Sequence, residues 1–243
     1  MTVFWLLVWA LLARLVDKAL LLPGPAAVLR RLLGLAATGA FWRTVGVTLL
    51  RILCGALAGT VLGVAAAVLT WRFRLLHDLL SPLLTLVKST PVASFILLLL
   101  IWLGRDILPA VIVVLMVLPV IWANVEAGLR GVDLGLREMA KVFRFPPFRR
   151  LRRVWVPSVL PSFLAACRST LGLAWKAGVA AEVLTVPVRS IGKMLYESKL
   201  NLETTDLFAW TVVVVLCSLV IEKLLTSLLG RLLKQPGREE ARA

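Results

Sequence analysis

Residues 107–127 read ILPAVIVVLMVLPVIWANVEA, and residues 128–157, directly behind them, read GLRGVDLGLREMAKVFRFPPFRRLRRVWVP. The first stretch has the length, about 20 apolar residues, that a helix needs to cross the hydrocarbon core of a bilayer. The second carries Arg130, Arg137, Lys141, Arg144, Arg149, Arg150, Arg152 and Arg153 against only Asp133 and Glu138. Basic residues accumulate in loops that stay on the cytoplasmic side, so this stretch reads as a long cytoplasmic loop leaving a transmembrane helix. Together the two stretches point to an all-α integral membrane protein and orient the segments on either side.

The same length criterion marks six spans, at roughly 3–22, 45–70, 79–103, 107–127, 160–185 and 207–229. With 128–157 inside, parity gives an N-in, C-in topology. It also places the turn Trp71 to Asp78 and the tail after Leu229 (Arg231, Lys234, Arg238, Arg242) inside. The outer side receives Pro23 to Thr44, the turn Gly104-Arg105-Asp106, and Val186 to Asp206. Arg30, Arg31 and Arg43 sit outside against the charge rule, which predicts an amphipathic helix at the outer interface. No long linker or repeat interrupts the chain, so residues 1–243 read as a single transmembrane domain.

Composition supports the membrane reading. Apolar residues make up 60% of the chain and the mean hydropathy is +0.93, above the roughly 45–50% apolar content of soluble domains. The net charge of +15 comes from short basic clusters between apolar runs, the pattern of membrane topology and not of a nucleic-acid partner. Cys54, Cys167 and Cys217 lie inside apolar stretches without metal or redox spacing and read as small core residues. Met1 to Leu22 lacks a basic leading region and is interrupted by Arg14, Asp17 and Lys18, which predicts a retained span, not a cleaved signal peptide.

Within the second span Gly55, Gly59 and Gly63 recur every fourth residue, a groove for close helix packing. The third span is interrupted at Lys88-Ser89-Thr90-Pro91, because Pro91 has no N–H and turns Thr90 away from helical angles. Irregular backbone at that depth is tolerated only where protein or a water-filled path covers it. Lys88 lies about nine residues into that span, roughly 13 Å at 1.5 Å per residue. Lys176 is comparably deep in span five, and Glu182 lies further out, too far round the helix to pair with it. Charges inside a bilayer are costly and mark function. Lys88, Ser89, Thr90, Lys176 and Glu182 are therefore candidate translocation residues; the alternative is that the lysines meet carbonyls or helix dipoles as packing glue.

The chain has no G-x-x-x-x-G-K-[ST] loop for ATP. Its lone histidine, His77, falls in a cytoplasmic turn, no His/Cys/carboxylate cluster has metal spacing, and no serine has a histidine within the membrane. A non-catalytic chain with no metal and no cofactor of its own is expected.

The basic loop has further structure. Glu138-Met139-Ala140 opens a helical run ending at Phe145-Pro146-Pro147, and a second run, Phe148 to Val156, stops at Pro157. It resembles the loop of ABC importer permeases written E-A-A-x-x-x-G, then about nine residues and a hydrophobic position before P. Glu138, Ala140 and Pro157 match, and Pro161 fits the same block; Met139 replaces the usual alanine and Arg144 the usual glycine. Because Arg144 lacks the freedom of glycine, Pro146 and Pro147 are expected to end the first helix instead. Thr48-Leu49-Leu50-Arg51 with Gly55 is similar to the opening of span two in permeases of the nitrate, sulfonate and taurine type. The stretches Ser81 to Gly104, Gly128-Leu129, Trp175 to Glu182, and Ile191-Gly192 are similar to the same subgroup in the same order.

The resemblance implies a permease subunit in the bacterial cytoplasmic membrane. A homodimer of this chain would form one solute path, with two copies of a separate ABC ATPase carrying ATP and Mg, and an extracytoplasmic substrate-binding protein delivering solute. Lys141, Arg144, Phe145 and Phe148 are then expected at the ATPase contact, with Glu138 stabilising the helix from its first turn. The subgroup's substrates and the two deep lysines point to a small anion, with Arg51 extending the positive track outward. Three alternatives remain at this point: a secondary transporter with a charged midplane site, which would need inverted repeats, a non-transporting membrane scaffold, which would leave Lys88 and Lys176 unexplained, and a basic loop that merely touches anionic lipid.

Overall fold

The computed structural model describes residues 2–18 and 20–233. Every regular element among them is helical: α1 (Thr2–Val16), α2 (Pro25–Ala36), α3 (Gly39–Arg72), α4 (Arg74–Ser89), α5 (Val92–Leu99), α6 (Leu108–Arg130), α7 (Leu134–Val142), α8 (Pro147–Arg150), a π-helical turn (Leu151–Trp155), α9 (Val156–Thr185), α10 (Ile191–Leu200) and α11 (Thr204–Leu233). Lys234, Arg238 and Arg242 of the basic tail lie outside the described residues.

Three helices are long and apolar enough to cross a bilayer, Gly39–Arg72, Leu108–Arg130 and Thr204–Ser227, and the bent pair α4 and α5 makes a fourth if counted as one span. The two remaining expected spans, the first and the fifth, differ from the sequence reading. Helix α1 stops at Val16, where Asp17 turns to φ 46°, so the first span ends six residues early. Its 15 residues rise about 22 Å, short of a hydrocarbon core of about 30 Å. Helix α9 is long enough at 30 residues, but Arg168, Lys176, Glu182 and two prolines dilute its apolar character.

Other boundaries also move. The expected turn at Trp71 to Asp78 contracts to one extended residue, Phe73 (φ −121°, ψ 107°), because α3 continues to Arg72 and α4 begins at Arg74. His77 therefore sits on a helix and not in a turn. The amphipathic helix expected between Pro23 and Thr44 is α2, entered through extended Gly24 with Pro25 in the first turn, where a missing N–H costs nothing. The break in span three falls where expected. Thr90 is extended (φ −81°, ψ 133°), and α4 and α5 are bent by 104° there. The Leu86 carbonyl at this helix end is satisfied by the Thr90 N–H (3.0 Å), the Thr90 hydroxyl (2.8 Å) and the Ser89 hydroxyl (3.1 Å).

The chain gathers into two compact units, one made of Met1–Cys54, Val92–Ile112 and Lys176–Leu219, the other of Gly55–Pro91, Val113–Trp175 and Val220–Ala243. In the first unit Trp9 stacks on Phe208 and Phe41 on Trp210, with ring centroids 5.9 and 5.3 Å apart. Arg31 holds the Asp206 carboxylate through two bonds of 2.5 and 2.6 Å, which raises the guanidinium pKa above its usual value and fastens α2 to the start of α11. In the second unit the Trp122 indole N–H donates to the Thr70 hydroxyl at 2.9 Å, and Trp71 meets Trp155 edge-on at 4.6 Å.

The glycine groove of span two also lies in the second unit, and it is used. A Cβ at Gly63 would stand 2.8 Å from the Leu118 carbonyl oxygen and 2.9 Å from the Ile121 Cβ; at Gly59 it would stand 3.0 Å from the Val117 Cβ. These atoms are backbone or branch points and cannot swing aside. Gly63→Ala should therefore lower stability by about 1–3 kcal/mol through overpacking. Gly34→Ala, where an added Cβ meets nothing within 4 Å, should not. Thermal unfolding of the two variants in detergent compares them directly, and equal midpoints would refute the close-packing account.

Candidate functional site

The basic loop is built from two opposed helix ends. Asp133 caps α7, its carboxylate accepting from the Leu136 N–H at 3.0 Å. Glu138 is therefore not in the first turn, as the sequence reading had it, but further along the helix, exposed. The cap had a legible signal in Asp133, which motif matching on Glu138 passed over.

At the other end the Phe145 N–H bonds the Ala140 carbonyl (3.0 Å) and the Arg144 N–H bonds the Lys141 carbonyl (3.1 Å). This is the Schellman pattern. It requires a left-handed residue, and Arg144 adopts φ 47°. The glycine-like turn thus survives with arginine in it, at a cost of about 1 kcal/mol, and Pro146 and Pro147 do not end the helix. Pro147 instead starts α8, and the chain then stays helical through the π turn and Pro157 as far as Thr185. The expected stop at Pro157 does not occur.

Which loop residues face outward follows from what the loop packs on. Val132, Ala140 and Val154 form a small buried cluster, with Phe145 and Trp155 against it. Ala140 and Phe145 are thus internal supports, and Phe145 is not on the contact face expected of it. Exposed instead are Met139, Lys141, Arg144 and Phe148, joined by Val142 (76%) and Phe143 (70%), which the motif does not name. Val142, Phe143 and Phe148 are the most exposed of the large apolar side chains that project from this predominantly basic segment.

The candidate path residues fall in two groups. Lys88 and Ser89 are exposed and Thr90 half-buried at the end of α4, and the Lys88 ammonium lies 6.0 Å from the centre of the Trp122 ring. Because α4 begins at Arg74, Lys88 is about 21 Å along its helix and not about 13 Å. Lys176 is exposed on α9. Arg168, absent from the sequence-based candidates, is exposed on the same helix, eight residues earlier. A charge inside an apolar run was the signal that could have found it.

Glu182 belongs elsewhere. It has no exposed surface (0%) and sits at the centre of a polar cluster within the first unit. Arg51 pairs with its Oε1; the Thr48 hydroxyl (2.9 Å) and the Gly192 N–H (3.3 Å) donate to its Oε2. Thr48 in turn accepts from the Ile191 N–H at 3.0 Å, and a second Arg51 nitrogen stands 3.8 Å from Asp106. A Cβ on Gly192 would overlap the Cβ and backbone of Glu182, so only glycine permits this approach. The pair joins α3, α9 and the start of α10. Arg51 is thereby neutralised, which corrects its expected place in an outward positive track.

The chain belongs to the family described as binding-protein-dependent transport system inner membrane component, which it matches over residues 59–235. It is a multi-pass membrane protein and a permease subunit of a type I ABC importer. A Bacillus subtilis protein assigned as an aliphatic sulfonates transport permease, SsuC, is 26% identical over 93% of this chain and 83% of its own length. The bicarbonate transport system permease protein CmpB of Synechococcus elongatus is 26% identical over 66% of this chain and 58% of its own length. Among solved structures, an inward-facing form of the MetNI methionine ABC transporter superposes with a TM-score of 0.66 at 19% identity, covering 79% of this chain and 95% of that one. Family membership removes the secondary-transporter alternative.

Removing one partner of a buried ion pair leaves an uncompensated charge, at a cost of about 3–5 kcal/mol. Glu182→Ala should therefore be strongly destabilised in thermal unfolding. The double variant Arg51→Met, Glu182→Leu, which removes both charges, should recover much of the loss. An unchanged midpoint in Glu182→Ala would show that the cluster does not hold the helices together.

Proposed function

We propose that this chain is the path-forming subunit of an importer for a small anion. In this reading it crosses the bacterial cytoplasmic membrane six times with both ends inside, as a single domain. It assembles as a homodimer and is driven through residues 134–157 by two copies of a partner ATPase that carries ATP and Mg. A substrate-binding protein outside delivers the solute. The observation that carries the coupling role is the exposed apolar set Val142, Phe143 and Phe148 on a basic loop. An apolar group of that size on a segment read as cytoplasmic is protected from water only when a partner covers it. Met139 adds to this apolar set, and Glu138, Lys141 and Arg144 are the exposed polar residues beside it, supported from behind by Ala140 and Phe145, with Pro157 in the continuous helix that leads away.

Homodimerisation and the path are supported by the exposed stripe of α9. Ala165, Ser169, Gly172 and Ala180 share it with Arg168 and Lys176. Exposed positions of α11 between Thr211 and Val220 are mostly large and apolar (Val215, Leu216, Leu219, Val220), as befits contact with acyl chains, with Glu222 and Lys223 exposed further along the helix. Small and cationic side chains on an otherwise apolar helix fit a second copy and an aqueous path better than lipid. Closed twofold symmetry is the commonest way to bring such faces together.

With Arg51 and Glu182 neutralising each other, the exposed charges remaining on α4 from Ser81 onward and on α9 are Lys88, Arg168 and Lys176, all positive. A cationic path favours an anion, and two relatives are named for sulfonates and bicarbonate. Ser89 and Thr90 would add hydroxyls beside Lys88 at the break.

Two experiments test this reading. Phe143→Asp should reduce co-purification with the partner ATPase and uncouple hydrolysis from transport while the chain itself folds normally. Undiminished ATPase association would remove the docking assignment. Lys88→Met keeps most of the length and removes the charge, so uptake of an anionic solute by reconstituted vesicles should fall about tenfold or more, as expected for a lost charge-assisted contact. Normal uptake, or a partner binding protein specific for a cation, would remove the anion assignment.

A further inference from the structure

The second unit contains a cleft that the transport reading does not use. It has a volume of about 560 Å³ and is lined by Thr70, Trp71 and Arg72 at the end of α3, Arg74, His77 and Asp78 at the start of α4, and Arg130 at the end of α6. Its polar groups are sorted by what holds them. Glu126, buried beneath, binds Arg130 through bonds of 2.6 and 3.2 Å and lies 3.6 Å from the His77 Nε2. Asp78 lies 3.2 Å from the other ring nitrogen of His77. The carboxylates are thus engaged with His77 and Arg130. Arg72 and Arg74 have no carboxylate within ion-pair distance among the described residues, and Phe73 between them provides no side-chain cap for α4. Two guanidiniums therefore face a polar cleft with their donors unsatisfied by protein anions, a geometry suited to the oxygens of a phosphate.

What lies beside the cleft points to the source of that phosphate. Leu75 (80% exposed), Leu79, Leu83 and Leu86 recur along one face of α4. From Leu75 to Leu86 the stripe runs roughly 16 Å, comparable to an acyl chain, and it begins at the rim of the cleft. A soluble phosphate has no use for such a stripe. We propose that this cleft binds the phosphate of an anionic phospholipid through Arg72 and Arg74, with an acyl chain along the leucine face of α4. The site lies at the level where α3 and α6 end and would clamp the one-residue link at Phe73. It requires only that the chain is embedded in a membrane, not the anion or ATPase assignments above.

The test uses the full chain purified in mild detergent with whatever subunits accompany it. Lipid retention is read by native mass spectrometry after exchange into mixtures of phosphatidylglycerol and phosphatidylcholine. Phosphatidylglycerol should be retained in preference. The Arg72→Gln, Arg74→Gln variant should lose that preference, by about fivefold for each arginine. Should the double variant not fold, Arg74→Gln alone, at an exposed position, should show the single-arginine loss. Equal retention of the two lipids by the unaltered chain would overturn the proposal, as would undiminished phosphatidylglycerol retention in the variants. Displacement of the lipid by millimolar inorganic phosphate would reassign the cleft to a soluble anion.

Discussion

A charge inside a bilayer must either be neutralised by a neighbour or face something other than hydrocarbon, and this constraint sorts the ionisable side chains of α3, α6 and α9 and the end of α4 that lie within the apolar runs. Arg51 with Glu182, and Arg130 with Glu126, satisfy it by pairing. Lys88, Arg168 and Lys176 are exposed on their helices and satisfy it only if their faces are turned to water, solute or a second copy of the chain. The paired residues hold helices together and leave no charge for a solute, whereas the exposed cations contribute little to the packing within the chain.

The two classes are linked through the backbone. Glu182 accepts from the Gly192 N–H as well as from Arg51 and Thr48, so the carboxylate satisfies a donor at the start of α10 that would otherwise be buried unpaired. Thr48 serves both sides, donating to Glu182 and accepting from Ile191. Replacing any one member strands the others, which is why the cluster acts as a unit and why an apolar substitution is tolerable only if made on both sides.

Much of this was legible in the sequence, for reasons that differ by feature. Apolar runs and the Pro91 break are local, and local chemistry decides them: a proline without an N–H disrupts a helix wherever it sits. The helix-turn-helix character of the basic loop was legible from the run opening at Glu138 and the break near Pro146, whereas the Asp133 cap was passed over and the continuation through Pro157 was not legible. The Arg51–Glu182 pair was not legible, since its members lie 131 residues apart and no periodicity joins them. Read singly, Glu182 looked like a path residue and Arg51 like part of a positive track; only their meeting shows that each removes the other from that role. Arg144 misled in the opposite direction. Glycine is the residue that usually fits a left-handed turn, but the two backbone bonds of the Schellman motif and the packing of Phe145 on Ala140 and Val154 outweigh about 1 kcal/mol of strain.

Pro157 poses the remaining question, because a proline inside a helix both lacks a donor and drives its ring against the carbonyl four residues back. The chain meets this with the π turn at Leu151–Trp155, in which the Val156 N–H reaches back to the Leu151 carbonyl. Beside the π turn the Ser158 hydroxyl donates to the Val154 carbonyl at 2.7 Å. Helical structure therefore runs on from α8 into α9 where a proline would ordinarily end it. No loop intervenes between Phe148 and the stretch that bears Arg168. The wide turn is thus the local device by which a proline at this position is compatible with an unbroken helical course from α8 into α9.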